Sequence, residues 1–271
     1  MSERDGYERG VPCWVATVQP DPDAAARFYG ELLGWETEDL MPPDHPGSYF
    51  LCTLRGRDVA AVVSQHGAPA PPAAVWTTHV QVDSADEAGA KAKEAGGEVI
   101  GEPFDSPGGG RMAVVADPAG AVLCAWEPRE RSGAQLVNEP SAWSMSNLVT
   151  DDPDGARTFY REVFGWETET FDMGGAEVTL WKVPGYVGGE PEQPVARDVV
   201  ATMLPPSIAG GGPPRWSVDF WVHDADAVAA KAEELGGTVV TGPYEAGAFR
   251  QALLADPQGA EFTVSRLNAG P

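Results

Sequence analysis

The sequence predicts an α+β fold made of four small units in two repeated pairs, each unit a strand, a helix and three further strands. Three observations lead there. Residues 21–38, DPDAAARFYGELLGWETE, return as residues 152–169, DPDGARTFYREVFGWETE, with twelve of eighteen positions identical at an offset of 131 (152 − 21). Residues 82–99, VDSADEAGAKAKEAGGEV, return as 222–239, VHDADAVAAKAEELGGTV, with ten of eighteen identical. The turn ADPAG at 116–120 returns as ADPQG at 255–259. Self-similarity this close fixes the architecture before any single residue is interpreted.

The order is A, B, A′, B′. A chain of 271 residues suits two ordinary domains. The expected division is residues 1–131, with units 11–66 and 75–127, and residues 132–271, with units 141–204 and 214–268. Residues 128–140 are charged, turn-prone and aperiodic, as a linker is. A small sheet with one helix leaves apolar surface uncovered. Two units must therefore pair, giving curved mixed sheets around cavities.

Taken in order, residues 1–10 are polar and read as loose. Residues 12–19, PCWVATVQ, read as a strand. Asp21-Pro22 then caps a helix, because Asp accepts from free amides and Pro has none to leave unpaired. Ala25, Phe28, Leu32 and Leu33 share one helical face, and Gly34 ends the helix. Phe28, Tyr29 and Trp35 read as core. Strands are expected at 49–54 and 58–64, a proline-rich connector at 67–74, and a strand at 76–82. A helix over 86–95 is stopped by Gly96-Gly97. Strands close the unit at 98–100, 112–116 and 121–126. The second half repeats this, with its own long loop at 205–214, PPSIAGGGPP.

Composition excludes several classes. A net charge of −23 repels a phosphate backbone, so nucleic acid is not expected as a partner. No run is long and apolar enough for a membrane span, and the start lacks a signal-peptide core, so a cytoplasmic protein is expected. Cys13, Cys52 and Cys124 form no CxxC pair, which argues against a disulfide framework or a cysteine zinc site.

The repeated DPDAAARFYGELLGW and DPDGARTFYREVFGW, with VDSADEAGAKAKEAGG, DPAGAVL, VHDADAVAAKAEELGG and DPQGAEF, resemble the vicinal oxygen chelate superfamily. That superfamily includes glyoxalase I, bleomycin-resistance proteins and extradiol dioxygenases. The resemblance covers nearly the whole chain and is nearest to a two-domain actinobacterial branch labelled glyoxalase-like or hydroxylase. It implies two glyoxalase-like domains. It also implies a divalent metal held by His, Gln and Glu at four strand positions. Carried over one by one, the first-strand position is Trp14, and Met145 in the second half. The next is Thr77, and Ser217; the last-strand position is Cys124, and Thr263. The remaining position calls for a Glu, and residues 58–65 and 195–204 contain none. None of the six assigned positions is a carboxylate or an imidazole, which a catalytic divalent metal needs in threes or fours. No cofactor is therefore expected, with a divalent metal as the alternative.

His79 lies two residues after Thr77 and so shares its face. Its copy is Asp219. Glu261 lies two before Thr263 and is expected to face inward. His79 and Asp219 are the candidate acid–base residues, with a hydrogen-bonded structural role or metal ligation as the other readings of His79. Strand alternation places Trp14, Thr77, His79, Gln81, Cys124 and Trp126 around the first cavity. It places Met145, Asn147, Ser217, Asp219, Glu261 and Thr263 around the second. Cys124 reads as a buried structural thiol, and the PGGGR run at 107–111 as a turn. An apolar pocket with a few polar groups suits a small hydrophobic or aromatic molecule. Three functions stay open. The first is a glyoxalase-like or hydroxylase-like enzyme of specialised metabolism acting without the family metal. The second is a protein sequestering an antibiotic or toxin, as bleomycin-resistance proteins do. The third is a metal-dependent glyoxalase or dioxygenase. The protein is expected to be a monomer or homodimer.

Overall fold

The computed structural model describes residues 3–66, 74–172, 177–188 and 197–268. Residues 67–73 of the proline-rich connector expected at 67–74 lie outside the described residues. The first half runs β1 (Pro12–Gln19), α1 (Pro22–Leu33), β2 (Glu36–Asp39), β3 (Tyr49–Leu54), β4 (Arg57–Ser64), β5 (Val75–Gln81), α2 (Ala85–Glu94), β6 (Glu98–Val99), β7 (Phe104–Ser106), β8 (Gly110–Ala116) and β9 (Val122–Pro128). The second runs β10 (Trp143–Val149), α3 (Pro153–Phe164), β11 (Glu167–Asp172), β12 (Glu177–Lys182), β13 (Val199–Leu204), β14 (Arg215–Trp221), α4 (Ala225–Glu234), β15 (Thr238–Ala246), β16 (Phe249–Ala255) and β17 (Glu261–Leu267).

Each half is one mixed sheet. Its order is β2-β3-β4-β1-β5-β9-β8-β6, with β7 also on β8, and β11-β12-β13-β10-β14-β17-β16-β15 in the copy. Units A and B join edge to edge where β1 meets β5 antiparallel, and β10 meets β14 likewise. The pairs β1–β4, β5–β9, β10–β13 and β14–β17 are parallel. These are two glyoxalase-like half-barrels.

The repeated helix forms for the reasons its sequence states. The Asp21 carboxylate accepts from the Ala24 amide, and Gly34 takes the left-handed conformation that closes the helix, at φ 75°. Phe28, Tyr29, Leu32 and Leu33 are buried.

The sheets pair within halves, whereas the cores cross between them. One core joins Phe28, Tyr29, Trp35 and Trp76 to Phe220, Phe262 and Ala229 of the last unit. The other joins Val80, Ala88 and Leu123 to Phe159, Tyr160, Trp166 and Trp181. Each crossing is pinned by a buried tyrosine. The Tyr29 hydroxyl donates to Asp256 Oδ2 at 2.9 Å and accepts from Trp76 Nε1 at 2.9 Å. Tyr160 donates to Asp117 Oδ2 at 2.9 Å and accepts from Trp216 Nε1 at 2.8 Å. The aspartates are those of the two DPxG turns.

Two expectations are corrected and one is completed. The segment between the halves is packed: Ala134, Leu136 and Val137 are buried, and the Ala134 amide donates to the Cys13 carbonyl. Residues 3–10 are held as well, since Glu3 bridges Leu136 and the Tyr7 hydroxyl donates to the Ala134 carbonyl at 2.7 Å. The strands β2 and β11 complete the three strands expected after the helix in units A and A′, at residues the sequence did not single out. Their residues, ETED and ETETFD, are exposed throughout, so they carry no apolar alternation to read.

Candidate functional site

The sheet register brings the expected residues together in two rows of inward positions. In the first half Trp14 pairs with His79 and His79 with Cys124, and Ala16 pairs with Thr77. In the second, Met145 pairs with Asp219 and Asp219 with Thr263, and Asn147 pairs with Ser217. The equivalent positions differ in what they enclose.

In the first half they enclose a packed interior. Trp14, Thr77, His79, Cys124 and Trp126 are all buried. The Trp126 ring lies over Gly110 so closely that a Cβ there would meet it at 2.4 Å. His79 sits with its ring 5.7 Å from Trp126, its Nε2 3.4 Å from the Thr77 hydroxyl and its Nδ1 without a partner. Burial pushes its pKa down to about 3, so the imidazole is neutral at physiological pH. The Cys124 thiol is pushed up to about 12 by burial and is no nucleophile there. Gln81 is engaged elsewhere, donating to the Tyr7 carbonyl.

In the second half the same positions open onto a cavity of about 740 Å³. It is lined by Met145, Asn147, Ser217, Asp219, Thr263 and, at the mouth, Phe171 and Ile208. Both mouth residues are exposed apolar side chains. Small residues make the space: Ser265 stands where the first half has Trp126, as their pairing with Gln251 and Met112 shows.

Asp219 is the buried carboxyl of the cavity lining. Its Oδ2 accepts from the Ser265 hydroxyl at 2.5 Å and from Gln251 Nε2 at 3.4 Å. Its Oδ1 is buried without a partner. Burial raises its pKa to about 7, against the lowering effect of the two hydrogen bonds. A carboxyl so poised exchanges a proton readily near neutral pH.

Glu261 is a correction. It is exposed at the start of β17 and lies 3.6 Å from Arg215 Nε, outside the cavity wall. Arg215, missed in the sequence, lines the wall and holds the loop after β13, donating to the Ala209 and Gly211 carbonyls at 2.9 and 2.6 Å. Ser265 and Gln251 were also missed. Ser265 was reachable by alternation from Thr263, whereas Gln251 needed the β16–β17 register.

The donor set does not fit the metal that the fold's relatives imply. Among the described residues no three His, Cys, Asp or Glu side chains converge on a point where an ion could sit. A tryptophan, a methionine, three hydroxyls and a thiol whose ionisation burial opposes hold the six positions.

Comparison with known proteins follows the same division. The sequence profile described as Glyoxalase/Bleomycin resistance protein/Dioxygenase superfamily matches residues 14–125, and a glyoxalase-like domain profile matches residues 145–265. The Mycobacterium tuberculosis protein named "Putative glyoxylase CFP32" is 37% identical over 273 residues, covering 97% of each chain. The chain belongs to the glyoxalase superfamily. The Streptomyces peucetius anthracycline biosynthesis protein DnrV is 35% identical over 280 residues, covering 97% of this chain and 96% of its own. Among solved structures, the Mn(II)-bound glyoxalase of Novosphingobium aromaticivorans matches with a TM-score of 0.60 at 17% identity, over 95% of this chain and 82% of that one. The 2,3-dioxygenase LapB of Pseudomonas sp. KL28 matches at 0.63 and 13%, over 98% and 95%. At these identities the structural likeness speaks for the superfamily fold alone. No helix among the described residues is long and apolar enough to cross a membrane.

Proposed function

We propose that the protein binds a planar, largely apolar small molecule in the second-half cavity and moves a proton on it with Asp219, without the family's divalent metal. The observation that carries this is the unpartnered Asp219 Oδ1, buried in the wall of a cavity that also carries the exposed apolar side chains Phe171 and Ile208. Buried polar atoms are nearly always paired, so an orphan on a residue that lines a cavity supports a ligand as the missing partner. The first-half positions act as structure, because their interior is filled. The name of the Streptomyces relative, an anthracycline biosynthesis protein, supports a polycyclic aromatic ligand and a place in specialised metabolism.

The test starts from a ligand found by thermal-shift screening of aromatic metabolites. Asp219→Asn is expected to lower turnover by about 10²- to 10⁴-fold with little change in affinity. Elemental analysis of protein purified from its own host is expected to show no stoichiometric Mn, Fe, Ni or Zn. One tightly bound ion per chain defeats the metal-free reading. The exposed Phe171 and Ile208 at the mouth favour a second reading, sequestration of the ligand without chemistry. Tight binding with no product, unaltered in Asp219→Asn, decides for it.

A further inference from the structure

Tyr244 lines the same cavity from β15, at a place where that strand is irregular. The β15–β16 register slips between Val239 and Thr241 and again between Thr241 and Tyr244. Such bulges re-aim a side chain. Tyr244 then pairs with Gln251, and Gln251 with Ser265, so it joins the row beside Asp219. Gly242 lets the ring lie flat on the strand: a Cβ there would meet Tyr244 Cδ1 at 2.8 Å. The ring is half-buried, and its hydroxyl has no hydrogen-bond partner among the described residues. Burial and the Asp219 carboxylate both push the phenol's pKa up, so it stays a proton-bearing donor, close enough to Asp219 to feel its charge.

The repeat supplies an internal control. The first-half counterparts of Asp219, Tyr244, Gln251 and Ser265 are His79, Phe104, Met112 and Trp126, matched through their strand pairings. The half with a filled interior lacks the phenol hydroxyl and the amide. The half with the cavity has both.

We propose that Tyr244 is a second catalytic residue of this site: its hydroxyl donates to a carbonyl oxygen of a planar, enolisable ketone while the Asp219 carboxylate takes a proton from the adjoining carbon. The assignment rests on the second-half cavity being the ligand site. The C–H bond breaks and its electron pair forms the C=C bond. The carbonyl π pair moves onto the oxygen that Tyr244 holds, and the proton sits on Asp219. Return of that proton to the same carbon completes an exchange, and where a second C=C is conjugated with the enolate, its return to the far end of that system gives an isomer; neither needs an oxidant or reductant. A fixed donor at the developing oxyanion and a carboxyl tuned by an apolar site are sufficient for this chemistry. The side chains around Asp219 from the packed strands are Met145 on β10, Thr263 and Ser265 on β17, Gln251 on β16 and Tyr244 on β15. Of these only Tyr244 titrates. Glu245 on the rim is engaged by Arg250 and Asn268, and Arg215 by the loop carbonyls and Glu261.

The probe is 2-tetralone, a bicyclic ketone, with exchange of its C1 protons in D₂O followed by NMR. Wild-type protein is expected to speed exchange above the buffer rate. Tyr244→Phe is expected to reduce that gain by about 10²- to 10³-fold, as loss of one oxyanion donor does. Binding of 2-methylnaphthalene, which has the shape without the oxygen, is expected to stay unchanged in Tyr244→Phe. Asp219→Asn is expected to remove the gain. Exchange lost in Asp219→Asn yet unaltered in Tyr244→Phe overturns the role of Tyr244 and leaves the Asp219 reading standing. Loss of 2-methylnaphthalene binding in Tyr244→Phe makes the residue a packing element and overturns its catalytic role. No acceleration by wild type overturns both.

Discussion

Asp219 and His79 occupy equivalent positions and titrate in opposite senses. Asp219 is raised from 3.8 to about 7 by burial, so the folded chain holds a proton that the unfolded chain has released. Its contribution to stability is fully present below about pH 4 and is lost as pH rises through about 7. Asp219→Asn removes that loss. The variant's melting temperature is expected to gain on wild type from pH 4 to pH 7 and then run parallel to it. A constant difference across that range would mean that Asp219 ionises as it does in water. His79, lowered from 6.5 to about 3, behaves in reverse: its contribution is present above about pH 6.5 and is lost as pH falls toward 3. At this scale the sequence was informative about identity and not about surroundings. Alternation from Thr77 and Ser217 put His79 and Asp219 on the inward face. It could not tell that Trp126 fills the space beside one, while Ser265 leaves it open beside the other. Tyr244 was out of reach, because a double register slip breaks the alternation on which such inference depends.

At the scale of elements, the repeated helix α1 and its copy α3 do more than cover a sheet. Each sends a tyrosine across to the DPxG turn of the opposite half, which explains why the Phe-Tyr pair and the Asp-Pro turn recur together in the sequence. The two locks are unequal. Asp256 Oδ2 accepts from Gln19 at 2.7 Å as well as from Tyr29, whereas among the described residues Asp117 Oδ2 has Tyr160 alone. Tyr160→Phe therefore leaves a buried carboxylate oxygen and the Trp216 indole unpaired. Tyr29→Phe leaves only the Trp76 indole wholly so. Each unpaired buried group costs about 1–3 kcal/mol. Urea denaturation is expected to rank Tyr160→Phe as the more destabilised variant, with both below wild type. Equal losses would show that Gln19 gives Asp256 no support. The helices themselves were legible from capping and periodicity. The locks were not, since nothing local records which half a buried hydroxyl will meet.

At the scale of the molecule, the repeat predicts two sheets and invites the idea of two separable bodies joined by a linker. The cores argue otherwise. Phe28 and Tyr29 of the first unit pack on Phe262 of the last, and Phe159 and Tyr160 of the third belong to one cluster with Leu123 of the second. Cutting the chain between the halves would expose both clusters at once, and the segment that joins the halves is itself buried at Ala134, Leu136 and Val137. Burial of apolar surface is the dominant favourable term in folding. A half that loses its partner's side of each core loses much of that term while its own chain entropy is unchanged. The intact chain is therefore expected to melt in one calorimetric transition, with a calorimetric enthalpy equal to the van't Hoff value. Fragments 1–131 and 132–271, expressed apart, are expected to lack sharp tertiary signals and to regain them when mixed. Two resolved transitions in the intact chain, or a cooperative melt for either fragment alone, would show that each half-barrel completes its own core.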